Sequence, residues 1–336
     1  MDPISQAALG AVAPQTLANK TAIETVGLLR IGIIGALAGM APDLDVLIQS
    51  STDPLLQLEY HRQFTHSLIF IPFGAALCAL VFWPFVRSHM AYGQVWFIAL
   101  LGYGTHGLLD ACTTYGTLLL WPFSNARIAW NNVSVIDPLF TLPLLGFVLT
   151  AGLRQSRFAA RCGLGWAIFY LALGVIQEDR AARAGSLLAA SRGHHDIEVS
   201  AKPSIANILL WKTVYEHDGL FWVDAIRVGG STTIIEGDHV ARLDIETQLP
   251  WLDPSSQQAR DLERFRWFSN DHLAVDKTDP LLIVDMRYSQ LPNEITGLWG
   301  IRLDPSASST AHIEWVTRRS ADSARIDQLW TLLKGE

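Results

Sequence analysis

His106 and Asp110 lie four residues apart in the string GYGTHGLLDACTTYGT, directly after an apolar run. On a helix that spacing stacks an imidazole over a carboxylate on one face, where both can grip one metal ion. Pro42-Asp43-Leu44-Asp45 supplies two more carboxylates, one residue apart, just past a proline that ends a helix. From a loop both can point at one cation, whereas as plain helix-end charges they would oppose the helix dipole. His61-Arg62-Gln63-Phe64-Thr65-His66-Ser67 adds two imidazoles five residues apart. A continuous helix would hold these about 140° apart, so a loop or a helix start has to bring them together. Four such donors close a zinc-type site and six suffice for two ions. Ionisable groups at membrane depth are costly and usually functional, so three clusters beside long apolar segments point to a membrane-embedded metal site.

Other polar groups accompany these ligands. The fork of Arg62 matches two oxygens of an oxyanion or phosphate and keeps its charge; the same residue would also suit snorkelling to lipid headgroups. Thr113-Thr114-Tyr115-Gly116-Thr117 offers hydroxyls and a turn glycine, either for hydrogen bonds to substrate oxygens or for capping the helix end. Asp137-Pro138 reads as the N-cap and first residue of the next helix, and Asp53-Pro54 has the same form. His194-His195-Asp196 reads as a solvated, Gly-flanked loop. No partner pattern marks His89, His217, His239, His272 or His312.

The elements that must position these side chains are membrane helices. The 336 residues are 50% hydrophobic and only 17% charged, where about 25% charge is typical of soluble domains. Residues 68–86, 94–110, 138–153 and 162–177 are each nearly free of charge, and Val26 to Ala41 is interrupted only by Arg30. Crossing the hydrocarbon core takes about 20 apolar residues. With the small-residue segment 4–18 as a short helix or half-span, the total is five or six helices. No basic region precedes that segment, which disfavours a cleaved signal peptide. Cys78, Cys112 and Cys162 form no CxxC pair and read as packing residues. A net charge of −7 without a basic stripe argues against a nucleic-acid partner.

Arg154, Arg157 and Arg161 crowd one interhelical link and Arg87 lies in another, so the positive-inside rule makes both links cytoplasmic. All three ligand clusters, and everything after residue 180, then belong to the opposite side. From residue 181 the chain has ordinary soluble composition. Phe221–Val228 and Leu281–Tyr288 carry the β-branched and aromatic content of strands, Gly229-Gly230 and Leu303-Asp304-Pro305 are turn signals, and Ile326 to Lys334 is a terminal helix candidate. Seven of the 12 tryptophans fall here, as fillers of a β-rich core or as interfacial anchors. The expected fold is an all-α membrane domain over 1–180 followed by a β-rich α+β extracytoplasmic domain over 181–336.

MDPISQAALGA, GALAGMAPDLDVL, HRQFTHSLIF, THGLLDACTTYGTLLLWPFS and VIDPLFTLPLL together resemble the YdjM-type inner-membrane metal-dependent hydrolases of bacteria, in the family's order across residues 1 to 145. KPSIANILLWKTV and VDMRYSQLP are similar to the C-terminal extension of longer members. The resemblance implies a hydrolase of unassigned substrate with Asp43, Asp45, His61, His66, His106 and Asp110 at the motif positions that hold metal. The His-x-x-x-Asp element is also similar to the zinc-dependent phospholipase C group, which would favour phosphoester substrates. Where family members carry Thr-Gln near the start and Arg-Gly in the second cluster, this chain has Ser5-Gln6 and Arg62-Gln63.

The expected function is therefore a bacterial inner-membrane hydrolase that activates water on a divalent ion, Zn²⁺ first among them, against a phosphoester or lipid-type ester. Arg62, aided by Thr65 and Thr114, would stabilise developing charge, one of the carboxylates could serve as general base, and membrane lipids or lipid-linked molecules are the expected partners. The rival is a non-enzymatic metal carrier or assembly factor. A carrier needs ionisable residues in mid-span, and here the span centres are bare apart from Arg30.

Overall fold

Asp2 starts the first helix. Its carboxylate accepts from Ile4 N and Ser5 N at 3.0 Å each, and Pro3 stands where no amide donor is needed. The computed structural model describes residues 1–318 and 323–335. Its helical half comprises α1 (Pro3–Leu17), α2 (Lys20–Met40), α3 (Leu56–Tyr60), α4 (Ile71–Val86), α5 (Tyr92–Ala111), α6 (Pro138–Arg154) and α7 (Arg157–Ser191), with 3-10 turns at Ala41–Leu47, Phe64–His66 and Leu68–Phe70. Among the described residues, three helices are long and apolar enough to cross a membrane: Lys20–Leu47, Leu68–Val86 and Arg157–Ser191. Pro138–Arg154 is a shorter apolar helix of 17 residues. On α4 the large apolar side chains Phe73, Leu77, Leu80, Val81 and Phe85 are exposed, the reverse of a soluble amphipathic helix and the pattern lipid favours.

Two compact units emerge. The first is Met1–Leu47, Tyr60–Ile176 and Ile205–Asn207; the second is Ile48–Glu59, Gln177–Ser204 and the chain from Ile208 onwards. The change of composition near residue 180 falls inside α7, which continues to Ser191 because AARAGSLLAA is made largely of good helix formers.

In the first unit α1, α2 and α5 meet through glycines. A Cβ on Gly35 would lie 2.4 Å from Gly10 O, and one on Gly102 would lie 2.3 Å from Gly35 O. Backbones that close tolerate no side chain. The helix α2 breaks at Gly27 (φ 79°, ψ 155°), and two glutamines satisfy the freed backbone: Gln155 Oε1 accepts Leu28 N at 2.7 Å and Gln15 Nε2 donates to Leu28 O at 3.2 Å.

The second unit holds two antiparallel four-stranded meanders. One is β1 (Ser200–Pro203), β2 (Leu210–His217), β3 (Leu220–Val228) and β4 (Thr232–Ala241), in that order; the other is β5 (Leu273–Val275), β6 (Leu282–Asp285), β7 (Trp299–Arg302) and β8 (Glu314–Thr317). The helices α8 (Ile245–Gln248) and α9 (Gln257–Ser269) connect them, and α10 (Ser323–Lys334) follows. Val214, Phe221 and Val223 pack with Leu282, Val284 and Met286 as a core. Both expected strands and the terminal helix are present. Asp218-Gly219 closes the β2–β3 hairpin with positive φ at both residues (50° and 71°), a two-residue turn signal that strand patterning alone had passed over.

Candidate metal centre

His106 and Asp110 do share one face of α5, with His106 Nε2 and Asp110 Oδ2 at 3.8 Å. His66 reaches them from the end of its 3-10 turn. Gly107 makes that possible, since a Cβ there would lie 2.3 Å from His66 O. Asp43 and Asp45 sit on the 3-10 turn Ala41–Leu47 and not on an open loop. With about three residues per turn, side chains two apart diverge by roughly 120°. Accordingly Asp43 Oδ1 faces His66 Nε2 (3.4 Å) and His106 Nε2 (3.2 Å), while Asp45 Oδ1 faces His61 Nδ1 (2.7 Å).

Four donors thus converge: Asp43, His66, His106 and Asp110. The separations are 2.9 Å between the two Nε2 atoms, 3.2 and 3.4 Å to Asp43, and 3.4 and 3.8 Å to Asp110 Oδ2. Donors about 2.0–2.1 Å from a tetrahedral ion stand about 3.3 Å from one another, so these edges fit one small divalent cation. The lone pairs fit too. His106 Nδ1 lies 2.5 Å from Gly39 O, which can only accept, so Nδ1 carries the proton and Nε2 is bare. His66 Nδ1 lies 3.2 Å from Asp45 Oδ2, leaving its Nε2 turned to His106. Two bare imidazole nitrogens at that distance need a proton or a metal between them. Asp110 Oδ2 is buried without a hydrogen bond; Arg62 Nε is 3.0 Å away as an ion pair, off the hydrogen-bonding direction, so a lone pair stays directed at the nest. Burial opposes a charge on His66, yet hydrogen bonds with Asp110, Asp43 and Asp45 hold its pKa up to about 10.

Around this nest lies a supporting layer. Asp45 accepts from Thr65 Oγ1 (2.8 Å) and Arg62 N (3.1 Å) besides the two imidazoles, so both its oxygens are engaged and it orients His66 as carboxylates orient metal-bound histidines. The group Asp43, Asp45 and His61 is close enough to be a second set of donors. Arg62, in the left-handed region at φ 66°, turns its guanidinium inward to Asp110 and to Thr113 Oγ1 (3.0 Å). Thr114 is buried in the turn after α5. Gln6, marked by the sequence only as part of Ser5-Gln6, donates from Nε2 to Asp110 Oδ1 at 2.9 Å, and its buried Oε1 has no hydrogen bond. Nothing local marks that pair, whose members stand 104 positions apart. Of the six expected ligands only Asp43 (28% side-chain exposure) and His61 (31%) reach the surface. His66, His106, Asp110 and Asp45 are buried.

Other polar clusters have structural occupants. Asp137 caps α6, accepting Leu139 N and Phe140 N at 3.1 and 3.3 Å. Within the second unit, Asp53, Asp261 and His312 converge, but the Arg264 guanidinium bonds Asp53 and Asp261 at 2.8–2.9 Å and supplies the cation. His194 stacks on His217 at 4.0 Å and its Nδ1 lies 3.0 Å from Tyr215 OH.

The profile of the YdjM inner membrane protein family matches residues 1–181. The chain is 26% identical over 117 residues to the uncharacterized protein YfhP of Bacillus subtilis (strain 168), across 34% of this chain and 35% of YfhP. It is 31% identical over 110 residues to the inner membrane protein YbcI of Escherichia coli (strain K12), across 32% of this chain and 62% of YbcI. Both alignments span less than two thirds of the relative's own length. No solved structure matches the chain. The profile takes in more than half of the 336 residues and every side chain of the nest, and the chain belongs to the YdjM inner membrane protein family.

Proposed function

We propose that this protein is a membrane-bound metal-dependent hydrolase acting on a phosphoester or lipid-type ester. The observation that supports the reading is the convergence of the buried donors His66, His106 and Asp110 with Asp43, the one partly exposed member, beside them. His66, His106 and Asp110 would hold a divalent cation, Zn²⁺ being the best match to two imidazoles and a carboxylate. Such an ion would supply a water nucleophile at neutral pH. Asp43, the exposed member, lies on the side where water and substrate enter, and its carboxylate accepts the proton that the attacking water gives up. Arg62 and Gln6 hold Asp110, and Asp45 holds His66, so the buried ligands need no reorganisation when substrate arrives. A nest beside apolar helices suits a substrate with a lipid portion.

The alternative is a non-enzymatic carrier or assembly factor, favoured if all four donors coordinate at once, since closed four-ligand zinc sites are typically structural. Purification without chelators, metal analysis and assays on phosphodiester and phospholipid substrates test the choice. We expect stoichiometric metal and hydrolysis, both lost in His106→Ala or Asp110→Ala while membrane insertion persists. Metal-free wild-type protein, or full activity in the His106 variant, overturns the hydrolase; stoichiometric metal without hydrolysis supports the alternative.

A further inference from the structure

We propose that Arg264 is a positioning residue for the metal nest: from α9 it pins the segment that joins the two ligand-bearing turns. That segment is residues 48–59, which belong to the β-rich unit although the chain on either side of them belongs to the helical one. It begins three residues after Asp45 and ends two residues before His61. Where it is held therefore limits where Asp43 and Asp45 on one side, and His61 and His66 on the other, can fall. The inference rests on the metal centre above and not on its being a hydrolase. Three contacts within the β-rich unit carry it. Asp53 accepts from both Nη atoms of Arg264, at 2.9 and 2.8 Å, and Glu59 Oε1 accepts from its Nε. A fork engaged in this way fixes direction as well as distance. Asp261, three residues back on α9, accepts from Arg264 Nη1 at 2.9 Å, while its other oxygen takes Ile313 N and lies 2.8 Å from His312 Nδ1. The guanidinium is thus itself held in place. Between the two pinned carboxylates Leu55, only 1% exposed, shares one small cleft with Phe265 and Phe268 of α9.

A free linker between two sets of ligands samples many conformations, and an ion that needs both sets must order it at a cost in affinity. Held at Asp53, Leu55 and Glu59, the segment is ordered before any ion arrives. Arg264 bonds Asp53, Glu59 and Asp261, none of them a donor of the nest, so its effect on the ion runs through the segment.

The test compares full-length wild type, Arg264→Gln, Asp53→Asn and Leu55→Ala in detergent. Zn²⁺ affinity is read by competition with a chromophoric chelator, and ligand geometry by the visible absorption of bound Co²⁺. Val284→Ala, in the core between the two sheets, is the control for a β-rich unit that is merely less stable; urea unfolding matches the variants. We expect each of the three unpinned variants to bind Zn²⁺ about 10-fold or more weakly, the range seen when groups behind metal ligands are removed, and to shift the Co²⁺ spectrum. Val284→Ala should keep both at wild-type values, and Arg264→Lys, which keeps the charge, should recover part of the affinity. Unchanged affinity and spectrum in the unpinned variants, or an equal loss in Val284→Ala, overturns the pin and leaves the metal centre standing. If wild type takes up neither ion, the metal centre fails and the pin falls with it.

Discussion

Lys212 and Lys202 in the β-rich unit show how much a single buried charge can govern. Among the described residues Lys212 Nζ bonds neutral partners, Ser289 Oγ at 2.7 Å and Glu294 O at 2.6 Å, and Lys202 Nζ bonds Ser200 Oγ at 2.9 Å. Burial pushes Lys212 down to about 7 and Lys202 down to about 8. An unfolded lysine keeps its proton to about pH 10.4. Between these values the unfolded chain binds more protons than the folded one, so stability rises with pH from about 7 to 10 and falls as pH is lowered through that window. Urea unfolding of the full-length protein in detergent, followed by tryptophan fluorescence, should show a gain on the order of a few kcal/mol from pH 7 to pH 10. In Lys212→Met the slope should be visibly smaller. A flat wild-type profile would mean that the buried amines are solvated by water.

At the scale of elements, the site depends on how α2 and α5 approach each other. The first leads into the turn bearing Asp43 and Asp45, the second bears His106 and Asp110, and Gly35 and Gly102 let their backbones touch. Gly102→Val places a Cβ 2.3 Å from Gly35 O, an overpacking that costs about 1–3 kcal/mol or more. We expect lower thermal stability and loss of bound metal together. Gly93→Val on the same helix is the matched control, since no atom lies within 4 Å of its added Cβ. If both variants keep the metal, helix proximity is not what assembles the nest. The 3-10 turn is the second contribution at this scale. It turns Asp43 toward His66 and His106 and Asp45 toward His61, while their carboxylates stay within 4.8 Å of each other.

For the whole molecule, the arginine distribution predicts which compartment each part occupies. Arg154, Arg157 and Arg161 cluster about the link between α6 and α7, and α7 is one of the three span candidates. Reporter fusions at Arg157 and near Ser308 should therefore report opposite compartments, with Ser308 outside the cytoplasm. Two cytoplasmic signals would mean that α7 does not cross, and would remove the case for an extracytoplasmic nest.

Much was decided locally and could be read from the chain. The i,i+4 step that puts His106 and Asp110 on one helical face, the Asp137-Pro138 cap, the apolar lengths of the spans and the β-branched runs of β3 and β6 all depend on neighbours within a few residues, where backbone geometry leaves few choices. What separates Asp43 from Asp45, aims Arg62 at Asp110, brings Gln6 onto that same carboxylate and sets Gly39 O against His106 depends on segments distant in sequence meeting through glycine contacts and a tight turn. Spacing names the donors; only packing decides which of them converge on one point and which hold the others in place.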